Sequence, residues 1–195
     1  MRVRRSLPSS LLVVLLAASP VSASMGGGGG GAGANTPPPP TTVDAAKTEV
    51  SPREQAEGFY SQAYEEIARA KTDLADGKDK NAEKRFKRAL EWGEKATALD
   101  EKYYEAWNLV GFAARKLGDY EKAFAAYDKC LEIKADYAPA REYLGEAWLE
   151  KGEPAKAHEQ LALLNRYGAK DEAATLGKAI ADYEAAHPAT DSDSK

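Results

Sequence analysis

The sequence contains few of the residues from which catalytic and metal sites are usually built. Its 195 residues include one cysteine, Cys130, and two histidines, His158 and His187. A single cysteine excludes an intrachain disulfide, and neither histidine has a second histidine or a cysteine at metal-ligand spacing. The motifs His-Glu-x-x-His, Gly-x-Ser-x-Gly and the dinucleotide-binding glycine fingerprint are missing too. We therefore predict a protein that is not an enzyme and binds no metal or cofactor, with Cys130 a buried small side chain rather than a reactive thiol.

Long apolar runs are also missing. The longest, residues 11–18, follows Arg2, Arg4 and Arg5 and precedes the small residues Val21-Ser22-Ala23. This run is too short to span a bilayer, which takes about 20 residues, so we predict no integral membrane span. A basic start, a short apolar run and small residues together are typical of a secretory signal peptide. We expect residues 1–23 to be such a signal, cleaved after Ala23, and the protein to be exported to the periplasm or, alternatively, outside the cell.

Basic residues are fewer than acidic ones, 27 against 31. The formal net charge is −4, and loss of the three N-terminal arginines would shift it to −7. A negative chain is repelled by nucleic-acid phosphates, so we predict no nucleic-acid partner. Basic residues cluster between positions 78 and 88. They could contact an anionic surface, or they could belong to a solvated helix stabilised by pairs such as Glu83 with Lys87.

Glycine and proline are concentrated in one segment before the helical part of the chain. Residues 26–31 are six consecutive glycines, and residues 37–40 are four consecutive prolines. Glycine runs are flexible, whereas proline runs are extended and stiffer. The glycines lack the Gly-Lys-Ser/Thr ending of a phosphate-binding loop. We interpret residues 24–51 as a disordered tether.

From residue 51 onward, apolar residues recur at helical spacing. Ser51-Pro52-Arg53-Glu54 predicts a capped helix start, and Gly77 ends that helix before a second one from about Asp79 to Leu99. Further helices are predicted at about 103–117, 120–134, 138–151, 154–167 and 171–186. Gly118, Gly152 and Gly168 occupy the positions where helix ends need a left-handed residue.

A pattern recurs after 34 residues in the second half of the chain. Trp107, Val110, Gly111 and Ala123 in the first copy align with Arg141, Leu144, Gly145 and Ala157 in the second. Both copies resemble the tetratricopeptide repeat, W-x2-L-G-x2-Y followed by A-x3-F. The pair Ala82-x3-Phe86 marks a divergent earlier copy with a second helix longer by two turns.

The resemblance implies an all-α fold, a right-handed superhelical array of about three helix-turn-helix repeats. The repeats would cover about residues 52–102, 104–137 and 138–171, followed by a capping helix at 171–187 and a disordered tail at 188–195. The small residues of each copy, Gly111 with Ala123 and Gly145 with Ala157, would let two helices approach closely. Gly93, inside the long second helix, marks either a kink or a close packing contact.

Members of this family typically bind a peptide or protein segment in a concave groove lined by the first helix of each repeat. The resemblance places nine residues there: Glu105, Asn108, Phe112, Arg115, Lys116, Glu142, Glu146, Leu149 and Glu150. Phe112 either projects into the groove as an anchor or packs on the first repeat. The last three glutamates stand four apart and repel one another. That repulsion is relieved either by a basic partner or by Arg141 and Lys151.

These features together predict a protein–protein interaction module of the bacterial cell envelope, an adaptor or assembly factor with a protein or peptide partner. The alternative is a structural spacer or tether in an envelope complex, with the Gly/Pro-rich segment as the working element. Homo-oligomerisation is left open.

Overall fold

The computed structural model describes residues 50–188, which form seven α-helices and contain no β-strand. The helices are α1 (Pro52–Ala75), α2 (Asp79–Leu99), α3 (Tyr104–Lys116), α4 (Tyr120–Ile133), α5 (Ala138–Glu150), α6 (Pro154–Tyr167) and α7 (Lys170–Ala186). The predicted all-α fold is confirmed. The signal peptide, most of the tether and nearly all of the tail lie outside the described residues. Among residues 50–188, no helix combines the length and the apolarity that crossing a bilayer requires.

The helix ends follow from local sequence. At the start of α1, the Glu54 backbone N–H donates to Ser51 Oγ at 3.2 Å, and the Ser51 N–H donates to Glu54 Oε2 at 2.8 Å. This is the reciprocal capping box that the sequence predicts. Gly168 ends α6 in the left-handed region, with φ of 75°, where a side chain would be strained.

Consecutive helices pack as antiparallel pairs, α1 with α2, α3 with α4 and α5 with α6, and α7 packs on the last pair. Small residues set the distance between neighbours. A Cβ atom at Gly111 would lie 2.6 Å from Cε1 of Tyr127, a fully buried residue of α4. Gly93 permits a similar approach between α2 and α3, because its Cβ would lie 2.9 Å from Val110 Cγ2. Gly93 therefore marks a close packing contact, and α2 continues as a helix through this position from Asp79 to Leu99.

The second tight crossing differs from the expected one. The alignment pairs Gly145 with Ala157 of α6, and Ala157 is indeed fully buried. The atoms nearest to a Cβ at Gly145 nevertheless belong to Leu176 of α7, at 2.5 Å. The space left by Gly145 is therefore filled by the terminal helix. Together with Ile180, Leu176 makes α7 an integral part of the last core cluster.

Cys130 lies in the core between α3, α4 and α5 and is fully buried. Burial raises the pKa of its thiol to about 12. A thiol in that state is an inert packing group, which matches the interpretation of Cys130 as a small core side chain.

Candidate binding groove on the first helices

Two adjoining cavities lie along the first helices of the pairs. The first, here called the tyrosine groove, has a volume of about 210 Å³ and lies between α1, α3 and α5. Its lining consists of Tyr60, Tyr64, Ile67, Lys71, Asn108, Leu109, Phe112, Tyr137, Pro139 and Tyr143. The second, here called the charged groove, has a volume of about 740 Å³ and lies between α3, α5 and α7. Its lining consists of Arg115, Lys116, Glu146, Leu149, Glu150, Lys151, Gly152, Ala179, Tyr183 and His187.

The structure places seven of the nine predicted groove residues in the lining of these two cavities. Asn108 and Phe112 line the tyrosine groove. Arg115, Lys116, Glu146, Leu149 and Glu150 line the charged groove. Glu105 and Glu142 line neither of them, although both are half-buried on the same helices. Seven of the nine predicted residues therefore face one of the two cavities.

Phe112 belongs to the floor of the tyrosine groove rather than projecting into it. Its side chain is only 4% exposed. The ring centroid lies 6.2 Å from that of Phe86 on α2 and 5.0 Å from that of Tyr143 on α5. Of the two alternatives, the structure therefore shows packing against the first repeat. With its ring held in the core, Phe112 can offer a partner one edge at most.

Asn108 is the most unusual polar residue of the floor. It is 5% exposed, and its Oδ1 atom accepts no hydrogen bond from any residue between 50 and 188. Burying an unsatisfied polar atom costs about 1–3 kcal/mol, so such atoms are rare and call for an explanation. Since this oxygen is closed off from the cavity, a ligand donor would remove that cost only together with a rotation of the Asn108 side chain.

Four tyrosines, at positions 60, 64, 137 and 143, wall the tyrosine groove. Tyr64 is 59% exposed, and the ring centroids of Tyr60 and Tyr64 are 6.3 Å apart. Burial raises the pKa of Tyr143 to about 12 and also raises the pKa of Tyr60 and Tyr137. The hydroxyls of these last three tyrosines therefore stay protonated near neutral pH and can donate as well as accept hydrogen bonds.

Sequence reasoning assigned none of these tyrosines to the groove. It transferred groove positions only to the second and third repeats, where the motif is readable. A signal was nevertheless present, since Tyr60 and Tyr64 are four residues apart and share one face of the first helix of the divergent repeat. Tyr137 directly precedes α5, and Tyr143 lies within α5 next to the assigned residue Glu142.

The charged groove is organised around Arg115, whose side chain is 1% exposed. Its Nη2 lies 2.7 Å from Glu146 Oε2, and its Nη1 donates to Glu150 Oε1 at 3.1 Å. The expected relief of the glutamate stripe by Arg141 and Lys151 is therefore wrong. Arg141 points elsewhere, with its Nε donating to the carbonyl oxygen of Ala135 at 2.8 Å.

Glu142 is the remaining carboxylate of the stripe. Burial raises its pKa to about 7, and the nearby charges of Glu146 and Glu172 add to the effect. Arg115 and Lys71 act in the opposite direction but do not cancel it. Glu142 on α5 thus titrates near neutral pH.

The basic cluster between positions 78 and 88 is largely ion-paired. Arg85 contacts Asp73 at 2.5 Å and Glu66 at 3.2 Å, and Lys87 contacts Glu83 at 2.6 Å. These contacts fit the solvated-helix interpretation better than a surface for anionic partners. Within the described part of the chain, no group of three or more His, Cys, Asp or Glu residues is arranged to hold a metal ion.

Comparison with known proteins identifies one repeat directly. Residues 104–137 match the family model described as "Tetratricopeptide repeat", and these bounds equal those of the second predicted repeat. A search of curated proteins found no match. Fifteen chains of solved structures match. One of them, titled "Crystal structure of MamA", is 18% identical, and the alignment covers 62% of this chain and 86% of that one with a TM-score of 0.40.

Proposed function

We propose that this protein is a non-enzymatic adaptor or assembly factor that binds an extended peptide or protein segment in the tyrosine groove. The matched repeat at residues 104–137 belongs to a class of protein-interaction modules. The observation that carries the proposal is the buried Asn108 amide, which lies at the floor of a cavity walled by four tyrosines.

The chemistry of this groove suits an extended chain. An extended segment presents backbone donors and acceptors that have no partner of their own. The Asn108 amide and the tyrosine hydroxyls can each donate and accept, so they can satisfy both kinds of group. Tyrosine also supplies a large apolar contact area at a low cost in conformational entropy.

The adaptor acts in the bacterial cell envelope, in the periplasm or, as the alternative, outside the cell. This part of the proposal is supported by the three-part signal pattern at residues 1–23. N-terminal sequencing of the protein recovered from the periplasmic fraction of an expressing bacterium should begin at Ser24. Recovery of the uncleaved chain from the cytoplasm would contradict export.

Affinity capture from an envelope fraction tests the groove. The full chain and its Asn108→Ala variant serve as baits, with Asn81→Ala as the control because Asn81 is exposed at the start of α2. We expect a partner that the wild type and Asn81→Ala retain and Asn108→Ala loses, with circular dichroism showing that all three are folded. Equal retention by both variants would refute the proposal for this groove.

A second candidate is the spacer role, which rests on the six glycines and four prolines between positions 26 and 40. Deleting residues 26–40 should leave partner capture intact if the protein is an adaptor. If the segment is the working element, the deletion should abolish function in the cell while the groove remains able to bind.

A further inference from the structure

We propose that the tyrosine groove recognises a lysine side chain of the bound segment, with the ammonium group held among the rings of Tyr60, Tyr64 and Tyr137. This inference rests on the proposed function, because it concerns the same groove, and it adds the chemical class of the partner. A segment with a lysine at this point would be selected over one that offers only apolar or acidic side chains.

The volume of the groove limits what can enter it. Pockets for drug-sized ligands have volumes of about 300–1,000 Å³, whereas the tyrosine groove has a volume of about 210 Å³. Four tyrosines form its walls, and Phe112 lies at its floor. This space suits one long side chain of a segment whose backbone runs along the protein surface.

The aromatic walls favour a positive charge in that space. Aromatic rings attract a cation because their faces carry partial negative charge. The ring centroids of Tyr60 and Tyr64 are 6.3 Å apart, and Tyr64 is 59% exposed. Tyr137, which directly precedes α5, lines the same cavity. An ammonium group among these rings can also donate hydrogen bonds to the tyrosine hydroxyls.

The protein's own cations lie over other rings of the groove. Lys71 Nζ is 4.9 Å from the ring centroid of Phe112, and the guanidinium carbon of Arg115 is 5.7 Å from that of Tyr143. Within residues 50–188, the cation–π contacts of the groove involve these two rings and not the three proposed ones. The three proposed rings can therefore accept a cation from a partner.

Two carboxylates beside the groove favour a positive ligand as well. After burial, the charge of Glu105 contributes most to the raised pKa of Tyr60, and the charge of Glu142 contributes most to that of Tyr143. Glu105 Oε2 is buried and accepts no hydrogen bond from residues 50–188. Water screens a half-buried charge only partly, so these carboxylates can attract an ammonium in the groove without touching it.

A lysine fits this arrangement better than an arginine. A guanidinium binds best to a carboxylate that accepts two parallel hydrogen bonds from it. Neither Glu105 nor Glu142 lines the groove, so no carboxylate is placed for that contact. The compact ammonium of lysine can instead turn its three donors toward separate hydroxyl oxygens.

Two pentapeptides that differ in one side chain test the inference. Acetyl-Gly-Ala-Lys-Ala-Gly-amide and its norleucine counterpart are titrated into the full chain, whose tyrosine rings are labelled with ¹³C. The pH is 8, because the pKa of Glu142 is about 7. We expect the ring signals of Tyr60, Tyr64 and Tyr137 to shift, and the lysine peptide to bind about 2- to 30-fold more tightly than the norleucine peptide. The signal of Tyr167, on α6 outside the groove lining, should not move.

Substitutions of Tyr64 separate attraction to the ring from apolar contact. Tyr64→Phe keeps an aromatic face and should keep the preference for the lysine peptide. Tyr64→Leu keeps an apolar side chain without that face and should reduce the preference, while the affinity for the norleucine peptide stays the same. Both variants should fold, because Tyr64 is 59% exposed, and circular dichroism checks this.

Charge substitutions should act in opposite directions on the lysine peptide. Glu105→Gln should weaken its binding about 3- to 10-fold, because a nearby negative charge is lost. Lys71→Gln should tighten its binding by a similar factor, because a competing cation is lost from the groove lining. The matched controls are Glu121→Gln and Lys84→Gln, at exposed positions on α4 and α2, and neither should change the affinity.

Several results would overturn the inference. The two peptides could bind equally well, or the preference for lysine could survive Tyr64→Leu. Lys71→Gln could weaken rather than tighten the binding of the lysine peptide. The lysine peptide could also leave the three ring signals unmoved at concentrations on the order of 10 mM, which would place its dissociation constant well above the millimolar range.

Envelope capture separates this inference from the proposed function. If the two peptides bind equally while Asn108→Ala still loses its envelope partner, the class of ligand is wrong and the adaptor proposal stands. If the lysine peptide is preferred while capture does not depend on Asn108, the proposed function fails for this groove and the lysine site remains.

Discussion

A substitution at Gly111 tests the close packing of α3 on α4 directly. A Cβ added there would lie 2.6, 2.7 and 2.9 Å from three ring atoms of Tyr127, about 1 Å inside normal contact distance. The ring is fully buried, so it cannot move into solvent. Overpacking of this kind costs about 1–3 kcal/mol, against which alanine gains about 1 kcal/mol in helix propensity over glycine. We therefore expect Gly111→Ala to lower the free energy of unfolding by up to about 2 kcal/mol.

Gly58→Ala is the matched control, because Gly58 lies within α1 and its Cβ would have nothing within 4 Å in the described structure. This variant should gain only the higher helix propensity of alanine, which stabilises the protein by up to about 1 kcal/mol. Urea unfolding followed by far-UV circular dichroism measures both variants. The difference between them, about 1–3 kcal/mol, isolates the contact with Tyr127. If the two variants unfold at the same urea concentration, the crossing of α3 and α4 is not as close as described.

Three further predictions concern buried polar groups. Arg115→Leu should lower the unfolding free energy by about 1–3 kcal/mol, because Glu146 and Glu150 lose their shared cation; an unchanged urea midpoint would contradict this. The folded-state pKa of Glu142 is raised to about 7 from its usual 4.5, so its stabilising contribution is present below pH 4.5 and is lost as the pH rises through 7. The free energy of unfolding of Glu142→Gln, measured with urea, should therefore equal that of the wild type near pH 4.5. At pH 8 it should be higher by about 1 kcal/mol, a value reduced because the side chain is half-exposed. Cys130 should react with a thiol reagent only at the rate of unfolding, since it is fully buried and its pKa is about 12; fast labelling of folded protein would refute this.

Helix positions could be predicted because their signals are local in sequence. The capping box at Ser51 and the glycines with positive φ each act within one turn of the chain. The predicted α2, Asp79–Leu99, coincides with the observed helix, and α7 begins one residue earlier than expected, at Lys170. Predicting these features does not require knowing which helices contact one another.

Contacts between distant elements could not be predicted in the same way. The repeat pattern indicates which face of a helix is buried, but not which neighbour covers that face. Gly145 shows this, since its space is filled by Leu176 of the terminal helix, which lies outside the repeat motif. Arg115 shows it as well, because its ion pair with Glu150 joins residues 35 positions apart.

The two grooves differ in what a partner would gain from them. In the charged groove, Arg115 already holds Glu146 and Glu150 at 2.7 and 3.1 Å. A ligand that competes for these groups must first separate ions that are partly shielded from water, and the cost offsets much of the new attraction. In the tyrosine groove, the Asn108 amide oxygen has no hydrogen bond from residues 50–188 and would gain one when its side chain rotates toward a donor, and four tyrosine rings offer apolar contact without breaking an ion pair. Affinity should therefore arise in the tyrosine groove, while the charged groove beside it repels segments that bring an unmatched charge.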